Sequence, residues 1–267
     1  MTRRGACIAG LVLALEGQPA IASEIVHLPV NGVYDSQLGG AYAPAPEVTM
    51  VSRDRQDPSA PGLYSICYIN AFQSQAHELD WWTANHPGLL LKAPDGSPLE
   101  DANWPGEFIL DTSTADKRQA ILGIVGPWID GCAEAGFEAL EPDNLDSWGR
   151  SAGALTMHDN LALATLLAVR AHARGLAIAQ KNGIELGTLG RDQAGFDFVI
   201  TESCAVYEEC GAYVAVFGAA MLEIEYTDTP GAAFDTACAE RGGAIAIVLR
   251  DRDLSAPGDP AYAFAHC

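Results

Sequence analysis

The chain has 267 residues, nearly half of them apolar, enough for one large domain; α/β barrels commonly run to this length. Fifteen Lys and Arg stand against 35 Asp and Glu, a formal charge of -20. That balance speaks against nucleic acid or an anionic membrane as partner, because both need basic patches, and leaves a cationic or neutral partner or simple solubility as its use.

The first residues read as an export signal, residues 1–22. Arg3 and Arg4 precede an apolar run from Ala6 to Leu15, and Ala20-Ile21-Ala22 is a small-x-small cleavage site. The run is too short to span a bilayer, and no later apolar stretch approaches that length. The mature chain, 23–267, is therefore expected to be a single soluble domain, secreted or periplasmic, and a monomer. Cys7 would leave with the signal, and Cys67, Cys132, Cys204, Cys210, Cys238 and Cys267 remain. An even count in an exported chain suggests disulfides, though six cysteines allow fifteen pairings. Cys204–Cys210 is the most local choice, Cys238–Cys267 would pin the C-terminus, and Cys67–Cys132 is then left. Zinc would call for CxxC or HxxxH pairs, which are absent.

Residues 24–46 are rich in Pro and Gly and read as a segment lying across one end of the domain. Short apolar strands with polar tips then recur at Val48–Arg53, Leu63–Ile69, Glu107–Leu110, Phe137–Glu141, Leu176–Gln180, Phe196–Thr201, Met221–Glu225 and Ala244–Leu249. Helices alternate with them. One is capped by Thr114 and runs to Cys132 with a kink at Gly126-Pro127. Another starts at a capping box of Thr156 and Asp159 and runs to His172. A third covers Ala233 to Arg241. Strands alternating with helices argue for a parallel sheet, and eight of them for a closed (β/α)8 TIM-type barrel. Only about nine residues separate the first two strands, too few for a crossover helix, so the first helix is short or missing.

In such a barrel the working residues sit at the C-terminal strand ends. The tips supply Asp54, then Tyr68 and Asn70, then Asp111. Next come Glu141, Asp143 and Asn144, then Lys181 and Asn182, Glu202, Glu225 and Tyr226, and Arg250 with Asp251. Within GFEALEPDNLDSW, alternation puts Ala139, Glu141 and Asp143 on one face and Leu140 and Pro142 on the other. The pattern GxSxG occurs at Gly149-Arg150-Ser151-Ala152-Gly153, but in a loop, where no strand aims the serine. Phosphate-cradling GxGxxG is absent, and no histidine falls at a strand tip. Carboxylates dominate, so a pair of them is the natural chemistry. In glycoside hydrolysis one carboxyl protonates the leaving oxygen while the other attacks or activates water. Asp143 and Glu202, two strands apart, suit that pair. Lys181 between them would hold Asp143 ionised. Trp148, Trp104, Tyr68 and Tyr226 are candidates to stack on sugar, and Trp81 and Trp82 read as packing residues.

The series ICYINAF, EFILDTST, GFEALEPDNLDSW, LAIAQKN, DFVITESC and LEIEYTD, with YDSQLGG near the start, resembles the endo-α-1,4-polygalactosaminidases of glycoside hydrolase family 114. The resemblance implies a (β/α)8 barrel that cleaves α-1,4-linked galactosamine polymers. It also implies catalysis by acidic residues after strands four and six, which match Asp143 and Glu202. By the same motifs Asp35, Tyr68, Asp111, Asn144, Lys181, Glu225 and Tyr226 fall in the cleft. The substrate would be a cationic amino-sugar polysaccharide, with no cofactor and no metal. Two other readings stand beside it. One is a barrel that holds the polymer without cutting it. The other is a metal-dependent hydrolase using Glu141, Asp143 and Asp146.

Overall fold

The computed structural model describes residues 24–267 apart from Asn31 and Pro230. The proposed export signal lies outside the described residues. Strands β1 (Tyr34–Ser36), β2 (Met50–Asp54) and β3 (Tyr64–Asn70) open the chain. A short ribbon of β4 (Gln73–Ser74) and β5 (Phe108–Ile109) follows, paired antiparallel. Then come β6 (Ala139–Asp143), β7 (Ala177–Lys181), β8 (Phe198–Glu202), β9 (Met221–Tyr226), β10 (Ala246–Arg250) and β11 (Phe264–His266). The main sheet runs in the order β1-β2-β3-β6-β7-β8-β9-β10-β11. Its pairings are parallel throughout except that β11 joins β10 antiparallel. This is a nearly closed (β/α)8-type barrel.

Two strand assignments differ from the sequence reading. The segment expected to lie across one end contains β1, a barrel strand of only three residues. Its Tyr-Asp-Ser carries no apolar alternation to announce it. Conversely, Glu107–Leu110 is not a barrel strand: Phe108 and Ile109 pair with β4, and single bridges join Phe108 to Glu100 and Leu110 to Leu90. The apolar run EFIL serves a ribbon beside the barrel, packing Ile109 against Leu91 and Leu155.

Alternation decides what each strand buries. Ile66 of β3, Ala139 of β6, Ala177 and Ala179 of β7, Phe198 and Ile200 of β8, and Leu222 and Ile224 of β9 fill the interior. Their neighbours Cys67, Ile69, Leu140, Ile178, Val199 and Met221 face the helix layer. That layer holds α1 (Leu79–Asn85), α2 (Ala115–Glu134), α3 (Met157–Ala173), α4 (Cys210–Phe217) and α5 (Ala233–Arg241). Helix α2 is capped by Thr114 and continues through Pro127 without a break. Helix α3 has the expected capping box and buries Leu163, Ala164, Leu167, Ala168 and Ala171. No helix follows β1 or β2, as the short connections require. Trp82 is fully buried, whereas Trp81 is largely exposed. No helix among the described residues is long and apolar enough to cross a membrane.

Three disulfides are formed, Cys67–Cys132, Cys204–Cys210 and Cys238–Cys267. The first ties β3 to α2 across 65 residues of sequence, the second closes only 6. Loop-closure entropy assigns the long bridge about 4 kcal/mol. The Cys67→Ala/Cys132→Ala variant is therefore expected to lose more stability in urea unfolding than Cys204→Ala/Cys210→Ala. Equal losses would contradict the entropic account.

Candidate active site

Inward-facing residues at the ends of six barrel strands reach an open cleft of about 350 Å³. Asp54 ends β2, Tyr68 lies near the end of β3, Asp143 ends β6, Lys181 ends β7, Glu202 ends β8 and Tyr226 ends β9; all line it. Alternation puts each on the same face as the apolar interior below. After three of these strands the chain turns at a left-handed residue: Asn144 (φ 62°), Asn182 (φ 49°) and Ser203 (φ 57°). Asparagine tolerates that region because its short polar side chain bonds locally. Asn182 bonds across to the next strand, accepting from Glu202 N at 2.9 Å and donating to Glu202 Oε2 at 2.9 Å.

Lys181 is the centre of the site. Its ammonium lies 2.7 Å from Glu141 Oε1, 3.6 Å from Glu202 Oε2 and 3.8 Å from Asp143 Oδ1. Its side chain is 3% exposed, whereas those of Asp143 and Glu202 are 21% and 26% exposed. Burial alone would lower the Lys181 pKa, but three carboxylates hold it well above its usual value. Asp143 accepts from Tyr68 OH at 2.9 Å, and Glu202 accepts a short hydrogen bond from Tyr226 OH. Burial favours a neutral Glu202, yet Lys181, Tyr226 and Asn182 together hold it below the ordinary carboxylate range. The Tyr226 ring is covered by the guanidinium of Arg252, 3.7 Å from its centroid. Arg252 itself pairs with Asp228 at 2.8 Å.

Glu141 sits beneath this group, not in the cleft. It is fully buried, accepts from Lys181 and from Ser52 Oγ at 2.7 Å, and Tyr34 OH donates to Ser52 at 2.8 Å. Burial raises its pKa against the pull of Lys181. Asp146 meanwhile pairs with Arg150 at 2.8 Å. Glu141 and Asp143 thus face the Lys181 ammonium and Asp146 faces Arg150, so cationic side chains stand where the metal of that reading would have to sit. Among the described residues, the cluster with ligand atoms within 4.8 Å of one another is Cys204, Cys210, Glu223 and Glu225, and the disulfide takes both sulfurs.

Several residues expected in the cleft lie elsewhere. Asp35 and Arg250 form a buried pair, 2.6 Å apart, that clamps β1 to β10 where the barrel closes; Arg250 also bonds the carbonyls of Ser36, Ser255 and Ala263. Asp111 accepts from Ser113 and from Lys117 at the start of α2. Asn70 stands behind the wall and joins Glu107 to Asn144, at 2.9 and 3.0 Å. Trp148 packs into the core beside Gly183 instead of facing sugar. Ser151 Oγ donates to Trp148 O at 2.7 Å and accepts from Leu155 N, so GxSxG is a loop staple. Asn144, Asn182 and Trp104 do line the cleft.

Glu225 is the clearest correction. It lies on the outer face of β9 with Glu223, where Arg241 pairs with Glu223 at 2.8 Å. Its Oε1 accepts from Ala205 N at 3.0 Å, in the loop just after Glu202, and its buried Oε2 has no partner among the described residues. Burial pushes its carboxyl up to about 7. The folded chain thus holds a proton that the unfolded chain has lost, so Glu225 costs stability as pH rises above the unfolded value. Glu225→Gln keeps the acceptor for Ala205 and removes that cost. Relative to wild type its Tm should be higher at pH 8 than at pH 5, by about 2–4 °C for each kcal/mol recovered. A difference independent of pH would refute the assignment.

Sequence reasoning missed Glu107, Gln75, Arg150 and Arg252, all of which line the cleft. Arg150 lies inside the discarded GxSxG pattern and binds Asp101, Asp146 and Asn144 at 2.5, 2.8 and 2.9 Å. From the sequence, Glu107 reads as the start of a barrel strand.

An open trough at the strand ends, with two part-exposed carboxylates on one buried ammonium, has the form of a two-carboxylate hydrolase site. Solved structures share the fold. Ega3 of Aspergillus fumigatus, whose crystal structure is a complex with galactosamine, matches with TM-score 0.73 at 21% identity, over 93% of this chain and all of that one. The glycoside hydrolase domain of PelA from Pseudomonas aeruginosa matches with TM-score 0.58 at 15% identity, over 84% of this chain and 96% of that one. At such identities the likeness concerns the fold. No curated protein sequence matches. The sequence model of glycoside-hydrolase family GH114 matches residues 16–267, and the chain accordingly belongs to that family and is a glycoside hydrolase.

Proposed function

We propose that the protein is a secreted, monomeric endo-glycosidase resembling endo-α-1,4-polygalactosaminidases. Its substrate is an α-1,4-linked, galactosamine-containing polysaccharide, cleaved with retention through Asp143 as nucleophile and Glu202 as general acid/base. One observation carries the reading: Asp143 and Glu202 come from β6 and β8 into one open cleft and share the Lys181 ammonium. The galactosamine bound to Ega3 supports the substrate class, and a chain of charge -20 attracts a cationic polymer. Three disulfides support an exported life.

In the mechanism, Tyr68 fixes one oxygen of Asp143 and leaves the other to attack the anomeric carbon. Glu202 protonates the departing glycosidic oxygen, then takes a proton from the water that releases the sugar. Because Glu202 is held below the ordinary carboxylate range, its protonated fraction grows only on the acid side. The optimum of kcat/KM should therefore be acidic and fall steadily through neutral pH. The same depression favours a second reading in which the roles are exchanged and Glu202 attacks. The experiment is digestion of a partially deacetylated α-1,4-galactosamine polymer, followed by NMR. New reducing ends of intermediate size, first seen as the α anomer, are expected. An initial β anomer would overturn retention, and no new ends would overturn the activity.

A further inference from the structure

The cleft has a wall that the catalytic pair does not use. Trp104-Pro105-Gly106-Glu107 forms a tight turn, Glu107 N donating to Trp104 O at 3.0 Å. Proline in the second place and Gly106 at φ 91° in the third are the requirements of a type II turn. The turn is held from outside. Gly106 N donates to Glu100 Oε1 at 2.6 Å, Asp101 N to Glu107 O at 2.9 Å and Trp104 N to Asp101 O at 3.2 Å. A side chain at Gly106 would need that left-handed φ and would stand 3.1 Å from the Ala76 Cβ.

This rigid turn delivers two side chains to the cleft. Trp104 lines it with 46% of its surface exposed. Glu107 is half-buried, and its Oε2 accepts from Asn70. No cation pairs with it among the described residues. The cations that line the cleft are already engaged: Lys181 by Glu141, Arg150 by Asp101 and Asp146, Arg252 by Asp228. Burial pushes the Glu107 carboxyl up to about 7, against the Asn70 hydrogen bond, with Asp143 and Asp101 raising it further and Arg150 opposing. An uncompensated carboxyl beside a bare indole is one half of an ammonium-on-sugar contact. The ring face covers sugar C–H groups, and the carboxylate takes a charge-assisted hydrogen bond.

We propose that the Trp104–Glu107 turn is a subsite that reads deacetylation, Trp104 stacking on an amino-sugar ring of the bound polymer and Glu107 accepting a hydrogen bond from its free ammonium. An N-acetyl group brings no charge to Glu107 and gains nothing there. The inference rests on the amino-sugar reading above, but its test is separable from it.

The test is calorimetric binding in the inactive Asp143→Asn background, with α-1,4-galactosamine tetramer and its fully N-acetylated counterpart. Glu107→Gln should weaken the free-amine tetramer about tenfold or more and leave the N-acetylated one within about twofold. The glutamine oxygen still accepts from Asn70, and an unchanged Tm verifies that the wall is intact. Trp104→Ala should weaken both ligands. In the active enzyme, Glu107→Gln should raise KM for deacetylated polymer with kcat nearly kept. Unchanged affinity, equal loss for both ligands, or no binding of either tetramer to the parent would each overturn the subsite. If the wild type cuts no polymer while binding still depends on Glu107, the hydrolase reading falls and the subsite stands.

Discussion

Asp143→Asn and Glu202→Gln should each lower kcat on galactosamine polymer about 10³-fold or more, with little change in Tm. General acid–base catalysis by one positioned carboxyl is worth about 10²–10⁴-fold, and loss of the nucleophile removes the covalent route altogether. Both substitutions are isosteric. Asp143→Asn keeps an acceptor for Tyr68; in Glu202→Gln the amide oxygen still accepts from Asn182 and the amide N–H can donate to the Tyr226 hydroxyl oxygen, so the cleft should hold its shape. The alanine variants then separate the roles. With Glu202→Ala, Asp143 still forms the glycosyl-enzyme, and added azide should intercept it as the α-glycosyl azide. With Asp143→Ala the cavity admits azide to the face Asp143 attacked from, and the product should be the β-glycosyl azide. Exchanged outcomes would establish the second reading, with Glu202 as nucleophile. Undiminished cleavage by either isostere would remove that residue from the chemistry.

The period of two carried most of what was legible. It put Glu141 and Asp143 on one face of GFEALEPDNLDSW, and both do face inward, one above the other. The same rule applied to LEIEY would have moved Glu225 outward, since Leu222, Ile224 and Tyr226 form the apolar-in series. Treating every polar residue near a strand tip as a cleft residue ignored that parity. Depth along a strand was the second loss. Glu141 is one inward position below Asp143, and that step changes a cleft carboxylate into a buried one. Strand β1 escaped because three residues contain too little pattern, and Asp35 with it: its place in the seam depends on Arg250, 215 residues away. Glu107 escaped for the opposite reason. EFIL has the composition of a strand, and a strand there would put its far end, Asp111, at the cleft. In the ribbon it is the first residue, set by the Pro105-Gly106 turn, that meets the cleft. The only local sign was that turn.

Lys181→Met should cost both stability and activity, and the two losses should part on further substitution. The wild-type ammonium faces Glu141, which is fully buried and otherwise held by Ser52. Removing one partner of a buried pair costs about 3–5 kcal/mol, because the other charge is left without compensation. The loss should depend on pH. In the wild type the Lys181 pKa is raised, so its stabilisation is present throughout the neutral range and is lost only as pH climbs past the unfolded value of lysine. In the variant the raised pKa of Glu141 is no longer opposed. Folding then takes up a proton that the unfolded chain does not carry at neutral pH, and stability falls as pH rises from 5 to 8. Urea unfolding at those two pH values measures the slope, and equal stability at both would refute the role of Glu141. Lys181→Met/Glu141→Gln should recover most of the stability and flatten the slope. It should not recover turnover, because Asp143 and Glu202 still lack the ammonium 3.8 and 3.6 Å away. A double variant as active as wild type would mean that the cation serves only to let a glutamate exist inside the barrel. An inactive but stable one places Lys181 in the chemistry, as the charge that lets two carboxylates occupy one cleft.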